Sequence, residues 1–277
     1  MITLTTDFGT SDSYVAEMKG VILQLNPGVV IVDVSHHIEP QDVAQGAFVL
    51  GSVRHSFPKD TVHVAVVDPG VGTSRRAVLL VTPGALFLAP DNGLLTYALR
   101  DSQEYRAVAR SATFLDLMDV PVPLDCLAYG LSNPDLWCDP ISDTFHGRDI
   151  FASVAAHMSM GTVPEEVGEP LESLVCLCIP HMQRNGDTLM GHVVQIDGFG
   201  NLITTIEGNA LSQNNVGVLI KGRSIQGVSR SYAESYGLLA IVGSHGNLEI
   251  SVKDGSAAQE LNAQMGNEVV VEFLSSA

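Results

Sequence analysis

Apolar residues in the first third of the chain follow two alternating periods. Ile2–Thr6 is a short run of strand formers that ends at the polar turn Asp7-Phe8-Gly9-Thr10. From about Ser13 the period lengthens, and Val15, Met18, Ile22 and Leu25 fall on one helical face. Asp12 or Ser13 is available as its cap, and Asn26-Pro27-Gly28 stops it. Residues 29–34 are largely β-branched, as expected of a strand buried on both faces. Pro40 opens a second expected helix through about Val53, and residues 62–67 form another apolar run. Strand, helix, strand, helix, strand predicts a mostly parallel α/β sheet. Ligands in such sheets gather beyond the carboxyl ends of the strands. Asp7 and Asp68 stand at two of those ends.

Past about Leu171 the pattern changes. Short apolar runs recur at 191–196, 202–206, 216–220, 238–242, 248–252 and 268–273, separated by polar turns and with almost no helical spacing. This predicts a small antiparallel sandwich or barrel. The fold class expected is therefore α/β, with an N-terminal mostly parallel domain over 1–170, a linker over 171–184 and a β-barrel-like domain over 185–277. The stretch 108–140 holds Pro121, Pro123, Pro134 and Pro140 and follows neither period.

Charge narrows the partners. The net charge of −17, from 31 acids against 14 bases, repels phosphate backbones and anionic lipid surfaces, so neither nucleic acid nor membrane is an expected partner. No run of about 18 uninterrupted apolar residues is present. The longest candidate, 77–88, is interrupted by Thr82, Pro83 and Gly84. The N-terminus lacks a basic segment followed by an apolar one, which makes a cytoplasmic location the expectation. Four scattered cysteines do not make a disulfide framework, and Cys176-x-Cys178 has no companion Cys/His pair, so both read as small buried apolar residues.

Two runs stand out chemically. In Val66-Val67-Asp68-Pro69-Gly70-Val71-Gly72-Thr73-Ser74-Arg75-Arg76, a buried strand delivers an aspartate into a Pro/Gly turn, with arginines close behind. The third glycine of a dinucleotide fingerprint is missing and so is Gly-Lys-Ser/Thr, which removes both nucleotide-loop readings. In Thr144-Phe145-His146-Gly147-Arg148-Asp149, a histidine precedes an expected helix over 150–158, where it could accept a proton near neutral pH. Residue chemistry alone leaves Asp68 and Arg75 open between a structural ion pair and a catalytic one, and His146 open between a capping histidine and a base. Asp7, Asp12, Asp91 and Asn92 complete the polar strand-end and loop residues. His36 and His37 are adjacent, so in a strand they point to opposite faces and cannot chelate together. No His-Glu-x-x-His occurs, and no metal ligand set is assigned.

Five ordered runs together carry a resemblance: Thr6-Asp7-Phe8-Gly9-Thr10, residues 68–75, Ala89-Pro90-Asp91-Asn92-Gly93-Leu94-Leu95, residues 144–149, and Asp197-Gly198-Phe199-Gly200-Asn201. They look like the motifs of the S-adenosyl-L-methionine hydrolase (hydroxide adenosyltransferase) family, which is related to fluorinase and chlorinase. The resemblance implies an N-terminal α/β domain, a C-terminal β-barrel-like domain and a homotrimer with sites between neighbouring subunits. It implies hydrolysis of S-adenosyl-L-methionine to adenosine and methionine, with no cofactor and no metal. Asp68, Arg75 and His146 match the family's proposed water-activating triad, and Asp7 matches the aspartate on the ribose hydroxyls. Asp12 and Asp197 match groups near the methionine end, Phe199 and Asn201 adenine-side contacts, Tyr232 an aromatic against adenine, and Ser244 a serine at the methionine carboxylate. The chain departs from its halogenating relatives at His245, where they have arginine, and at Asp254-Gly255-Ser256, where no adenine contact carries over.

The residue types suit that reaction. A sulfonium leaves as a neutral thioether, so displacement at C5′ needs no general acid, only a positioned nucleophile. Water is a weak one, and an arginine, a histidine and an aspartate together can activate it. A halide pocket needs neutral donors, and an aspartate beside the nucleophile repels halide. Three rivals stay on the table: a halogenase on the same scaffold, a nucleoside-binding protein without turnover, and a metal-dependent hydrolase.

Overall fold

In the computed structural model, Ile2–Thr6 forms a strand (β1) in which every residue is buried. The structure describes residues 1–211, 216–234 and 237–274, and the chain divides into two units, Met1–Cys178 and Ile179–Ala277. In the first unit β1 is followed by α1 (Tyr14–Leu25), β2 (Ile31–Ser35), α2 (Val43–Val53), β3 (Thr61–Val66), β4 (Ala77–Val81) and β5 (Ala85–Pro90). Next come α3 (Thr96–Leu99), α4 (Gln103–Ala109), β6 (Leu117–Pro121), β7 (Leu127–Gly130), α5 (Ser153–Ser159) and β8 (Ser173–Leu177). Six strands lie in the order β2-β1-β3-β5-β4-β7. β1 runs parallel to β2 and β3, and β3 to β5, whereas β4 is antiparallel to β5 and β7.

Both faces of this sheet are covered. Val62, Val64 and Val66 point into one cluster with Met18 and Ile22 of α1 and Val154 of α5. Ala65 and Val67, in the opposite phase, join Leu50 of α2 and Leu99 of α3. Two-sided burial explains why β3 reads as an unbroken apolar run. Full burial of each such aliphatic side chain stabilises by about 2 kcal/mol.

Two expectations differ from the structure. Residues 29–34 were expected to be buried on both faces, but β2 is the edge strand and its Asp33 is exposed, 2.6 Å from Lys19. A β-branched run fits an edge pleat as well as a central one, so composition cannot tell the two apart. The second helix begins at Val43, because Gln41 has φ +68° and Asp42 caps the helix by accepting from the Gln45 N–H at 2.9 Å. The interrupted run 77–88 is a hairpin, with Thr82 Oγ1 accepting the Ala85 N–H at 3.2 Å where β4 turns into β5. The unassigned stretch 108–140 contributes β6 and β7, and β6 pairs antiparallel with β8 in a separate two-stranded sheet.

The second unit is almost wholly antiparallel. Its elements are β9 (Gln183–Asn185), β10 (Thr188–Ile196), β11 (Leu202–Glu207), β12 (Val216–Ile220), β13 (Arg223–Gln226), β14 (Leu238–Val242), β15 (Asn247–Val252), α6 (Ala257–Leu261) and β16 (Glu268–Phe273). The order is β13-β12-β16-β10-β11-β15-β14, with β9 beside β10. Register shifts in β10–β11 and β11–β15 bend the sheet. A parallel bridge from Ser229 to Ile241 links the chain beyond β13 to β14. The result is the nearly closed barrel that the regular strand spacing predicts, filled by Val193, Leu202, Val218, Leu248, Ile250 and Val271.

Candidate active site

Thr6 of β1 is the register partner of Val66 in β3. The two parallel strands therefore end side by side, Asp7 follows one and Asp68 the other. Asn92 anchors the second end, donating through Nδ2 to the Val67 carbonyl at 2.9 Å. The chain then turns back: the Val71 N–H reaches the Asp68 carbonyl and the Thr73 N–H the Gly70 carbonyl, at 3.2 and 3.1 Å. This fold-back carries Arg75 onto Asp68, where Nε lies 3.0 Å from each carboxylate oxygen and Nη2 also donates to Oδ2. The Asp68 and Arg75 side chains are 5 % and 11 % exposed, which keeps this forked pair in a low-dielectric setting. Gly72 has φ +75°, and a Cβ there would sit 2.6 Å from the Asp143 carbonyl oxygen. Only glycine lets the turn lie against the segment leading to His146.

His146 precedes a π-helical segment, Gly147–Ala152, that runs into α5. Its Nδ1 lies 2.8 Å from Arg75 Nη2. A guanidinium has no acceptor, so Nδ1 accepts and the neutral imidazole carries its proton on Nε2. Burial, with the Arg75 charge next, pulls the His146 pKa below its ordinary value against the opposing pull of Asp68. Arg75 also lies over the ring of the fully buried Phe151, 5.6 Å from its centroid. The loop is anchored from below: Asp149, 1 % exposed, accepts from Arg148 Nε at 2.6 Å and from the Ser142 N–H at 2.8 Å. Arg148 Nη1 reaches Glu17 of α1 at 2.8 Å. Arg148 and Asp149, part of the His146 motif in the sequence, serve to anchor this loop.

The structure thus brings Asp68, Arg75 and His146 into one bonded group. Asp7 is held separately, accepting the Gln41 N–H at 2.9 Å. Asp12 is exposed ahead of α1, outside that group. The helix cap expected at Asp12 or Ser13 falls on Ser13 by position, yet its hydroxyl donates to Glu17 at 2.7 Å and makes no capping bond. Asp91 is a structural tie, bonding Arg76 Nε at 2.7 Å and the Val175 N–H at 2.8 Å, with burial raising its pKa.

In the second unit, Asp197 organises the turn between β10 and β11. It accepts the N–H groups of Phe199 and Asn201 and the Asn201 Nδ2, each at 2.9 Å. Asn201 is buried, whereas Phe199 is left 82 % exposed. Tyr232 is 45 % exposed and donates its hydroxyl to Glu249 at 3.3 Å. Ser244 lies exposed in the turn from Gly243 to Gly246. Glu249 escaped sequence reading. The residue is 5 % exposed, and its pKa is raised by burial and by Asp197, with Tyr232 and His245 opposing. A Cβ on Gly243 would lie 1.7 Å from Glu249 Oε1, so a side chain there would displace the Glu249 carboxyl. The one signal was a single acid inside the apolar strand β15.

Among the described residues, no group of three or more His, Cys, Asp or Glu side chains is arranged to hold a metal, and no helix is long and apolar enough to cross a membrane.

A mixed, mostly parallel sheet with a charged group at its parallel strand ends, joined in sequence to an antiparallel barrel, defines a two-unit α/β enzyme scaffold. The SAM hydroxide adenosyltransferase N-terminal domain matches residues 2–168, and the corresponding C-terminal domain matches residues 191–270. The chain belongs to this family. It is 38 % identical to the (R)-S-adenosyl-L-methionine hydrolase of Thermus thermophilus, over 95 % of this chain and 96 % of that one. It is 36 % identical to the hydrolase of the same name from Salinispora arenicola, over 98 % and 97 %. Fluorinase of Nocardia brasiliensis is a more distant relative, at 27 % identity over 98 % and 96 %. Among solved structures, an uncharacterized conserved protein from Thermotoga maritima matches with a TM-score of 0.83 and 33 % identity, over 98 % of this chain and 99 % of that one.

Proposed function

We propose that this protein hydrolyses S-adenosyl-L-methionine to adenosine and L-methionine by attack of water at the ribose C5′. The observation that carries the reading is the Asp68–Arg75–His146 group, in which a buried carboxylate aims a guanidinium at an imidazole nitrogen. A water that displaces the direct Arg75–His146 contact meets the Arg75 Nη2 donor on one side and the His146 Nδ1 acceptor on the other. Its oxygen forms the bond to C5′ as the C5′–S bond breaks, the bonding pair leaves with sulfur to give the neutral thioether of methionine, and His146 Nδ1 takes the proton. Asp68 acts through Arg75, fixing its direction. The lowered His146 pKa suits this role, because the imidazole is neutral and able to accept at neutral pH.

The same reading has Asp7 on the ribose hydroxyls and Asp12 and Asp197 near the methionine end. Phe199, Asn201 and Tyr232 serve adenine, and Ser244 the methionine carboxylate. Strongly exposed Phe199 and Tyr232 support a surface completed by substrate. The reading further has the protein cytoplasmic and homotrimeric, with sites between neighbouring subunits and no cofactor. A halogenase is disfavoured by Asp68, which neutralises the Arg75 guanidinium that would otherwise attract halide, and by Gly147, which offers no neutral side-chain donor. A side chain at Gly147 would begin 3.2 Å from the Phe145 ring and 3.3 Å from that of Phe8.

The test is incubation of metal-free protein with S-adenosyl-L-methionine in isotopically labelled water, offering both sulfonium epimers because the relatives' names specify (R). Adenosine labelled at its 5′ oxygen, with methionine released, is expected. Tight binding without adenosine would make the protein a sensor, and faster formation of 5′-chloro-5′-deoxyadenosine when chloride is added would make it a halogenase.

A further inference from the structure

Three aromatic rings meet beside the bonded group, and no role above accounts for them. Tyr14, the first residue of α1, is 47 % exposed. Its ring stands nearly perpendicular to Phe145, with centroids 5.1 Å apart and planes at 83°, and tilts against Phe8 at 5.7 Å and 54°. Phe8 and Phe145 meet edge to face at 5.7 Å. Rings so inclined cannot stack into a flat layer, and they form an angular apolar surface whose open part is Tyr14. Phe145 already carries the Arg148 guanidinium, 5.1 Å from its centroid. Phe8 and Tyr14 are therefore the rings left to face an incoming cation.

Their chain positions are informative. Phe8 follows Asp7, Tyr14 stands two residues after Asp12, and Phe145 precedes His146. Under the proposed function, those three neighbours serve the ribose, the methionine end and the attacking water. The sulfonium is bonded to C5′ on one side and to the methionine chain on the other, so it must lie among them. We infer that the Phe8–Tyr14–Phe145 surface, through the exposed Tyr14 ring, is the specificity element that recognises the sulfonium charge of the substrate. This rests on the reading of the site as one for S-adenosyl-L-methionine.

The chemistry favours rings over a carboxylate at this point. A sulfonium carries no N–H or O–H to donate, so a carboxylate gains no hydrogen bond from it, whereas an aromatic face attracts it through its quadrupole. The positive charge also vanishes as the C5′–S bond breaks. A close carboxylate would stabilise the ground state more than the transition state and slow the reaction, while a modest ring contact confers selectivity at little cost to the rate.

The experiment compares wild type, Tyr14→Leu and Tyr14→Phe in binding S-adenosyl-L-methionine and its neutral thioether analogue S-adenosylhomocysteine, with turnover measured in parallel. Tyr14→Leu is expected to lower the preference for the sulfonium about ten-fold, through KM with kcat nearly unchanged and with adenosine affinity intact. Tyr14→Phe keeps the ring and is expected to keep the preference. Phenylalanines of increasing fluorination at position 14, which withdraw π density at nearly constant shape, should weaken sulfonium binding step by step. An unchanged preference in Tyr14→Leu, an equal loss for both ligands, or a flat fluorination series would overturn the inference. Wild-type protein that neither binds nor turns over S-adenosyl-L-methionine would instead overturn the functional reading beneath it.

Discussion

The two units hold their polar residues in opposite ways. In the first, Asp68, Arg75 and His146 are bonded to one another, mostly buried, and braced by Asn92, Phe151 and the close approach at Gly72. In the second, Asp197 is spent on its own turn, and that turn presents Phe199 at 82 % exposure, while Tyr232 stays 45 % exposed. Under the proposed function, the contrast separates two tasks. Groups that activate a weak nucleophile gain from being oriented before the ligand arrives, because reorganisation during the reaction is costly. Groups that bind a flat base can wait exposed, since the ligand itself supplies the covering surface.

If this division holds, substitutions in the two units should fail differently. Arg75→Ala should reduce kcat by about 10²–10³-fold while calorimetry still finds substrate binding; turnover near wild type would remove Arg75 from the chemistry. Gly72→Ala comes next. It forces a side chain into positive φ and against the Asp143 carbonyl, and should cost about 2 kcal/mol or more of stability in denaturant unfolding, with a drop in kcat. Gly9→Ala, also at positive φ but with nothing within 4 Å of its Cβ position, should cost only about 1 kcal/mol. Equal costs for the two would show that close approach is unimportant.

Phe199→Ala and Tyr232→Ala should each weaken substrate binding by about 1–3 kcal/mol, the range for base–aromatic stacking, and leave the thermal midpoint almost unchanged. A fall in the midpoint with affinity intact would reverse the assignment of tasks. The smallest effect concerns pH. Because His146 has a depressed pKa, its neutral form persists below the ordinary histidine value, and the acid limb of kcat/KM should fall below about pH 6.5. The stability sign agrees: the unfolded chain takes up the proton first, so the stability His146 contributes is present above about pH 6.5 and is lost as pH falls. A limb at or above that value, or one surviving in His146→Gln, would exclude neutral His146 as the acceptor.

Much of the fold was legible because two-sided and one-sided burial leave different marks on a strand. β1, β3 and six of the eight strands of the second unit were legible, Val216–Ile220, Leu238–Val242 and Glu268–Phe273 to the residue, whereas the short β9 and β13 were not. β2 was read too deep, because edge and central strands share β-branched composition. β6, β7 and β8 were not read as strands, since prolines and short length hide their period. In the site, the strand-end aspartates were visible in topology-bearing patterns, whereas Glu249 was not, because a lone acid in an apolar strand gives no hint of what faces it.

By itself the sequence determined the two-part architecture, the strand ends where Asp7 and Asp68 emerge, and the ordered motifs of the family, because periodicity and turn chemistry are local properties. Only the tertiary structure decided that Arg75 folds back to fork Asp68, that its Nη2 also meets His146 at 2.8 Å, and that Tyr14 stands open beside Phe8 and Phe145. Arg75 and His146 lie 71 positions apart. Their meeting depends on a glycine turn lying against the Asp143 backbone and on a π-helix anchored to α1, a coincidence of packing that no local pattern encodes.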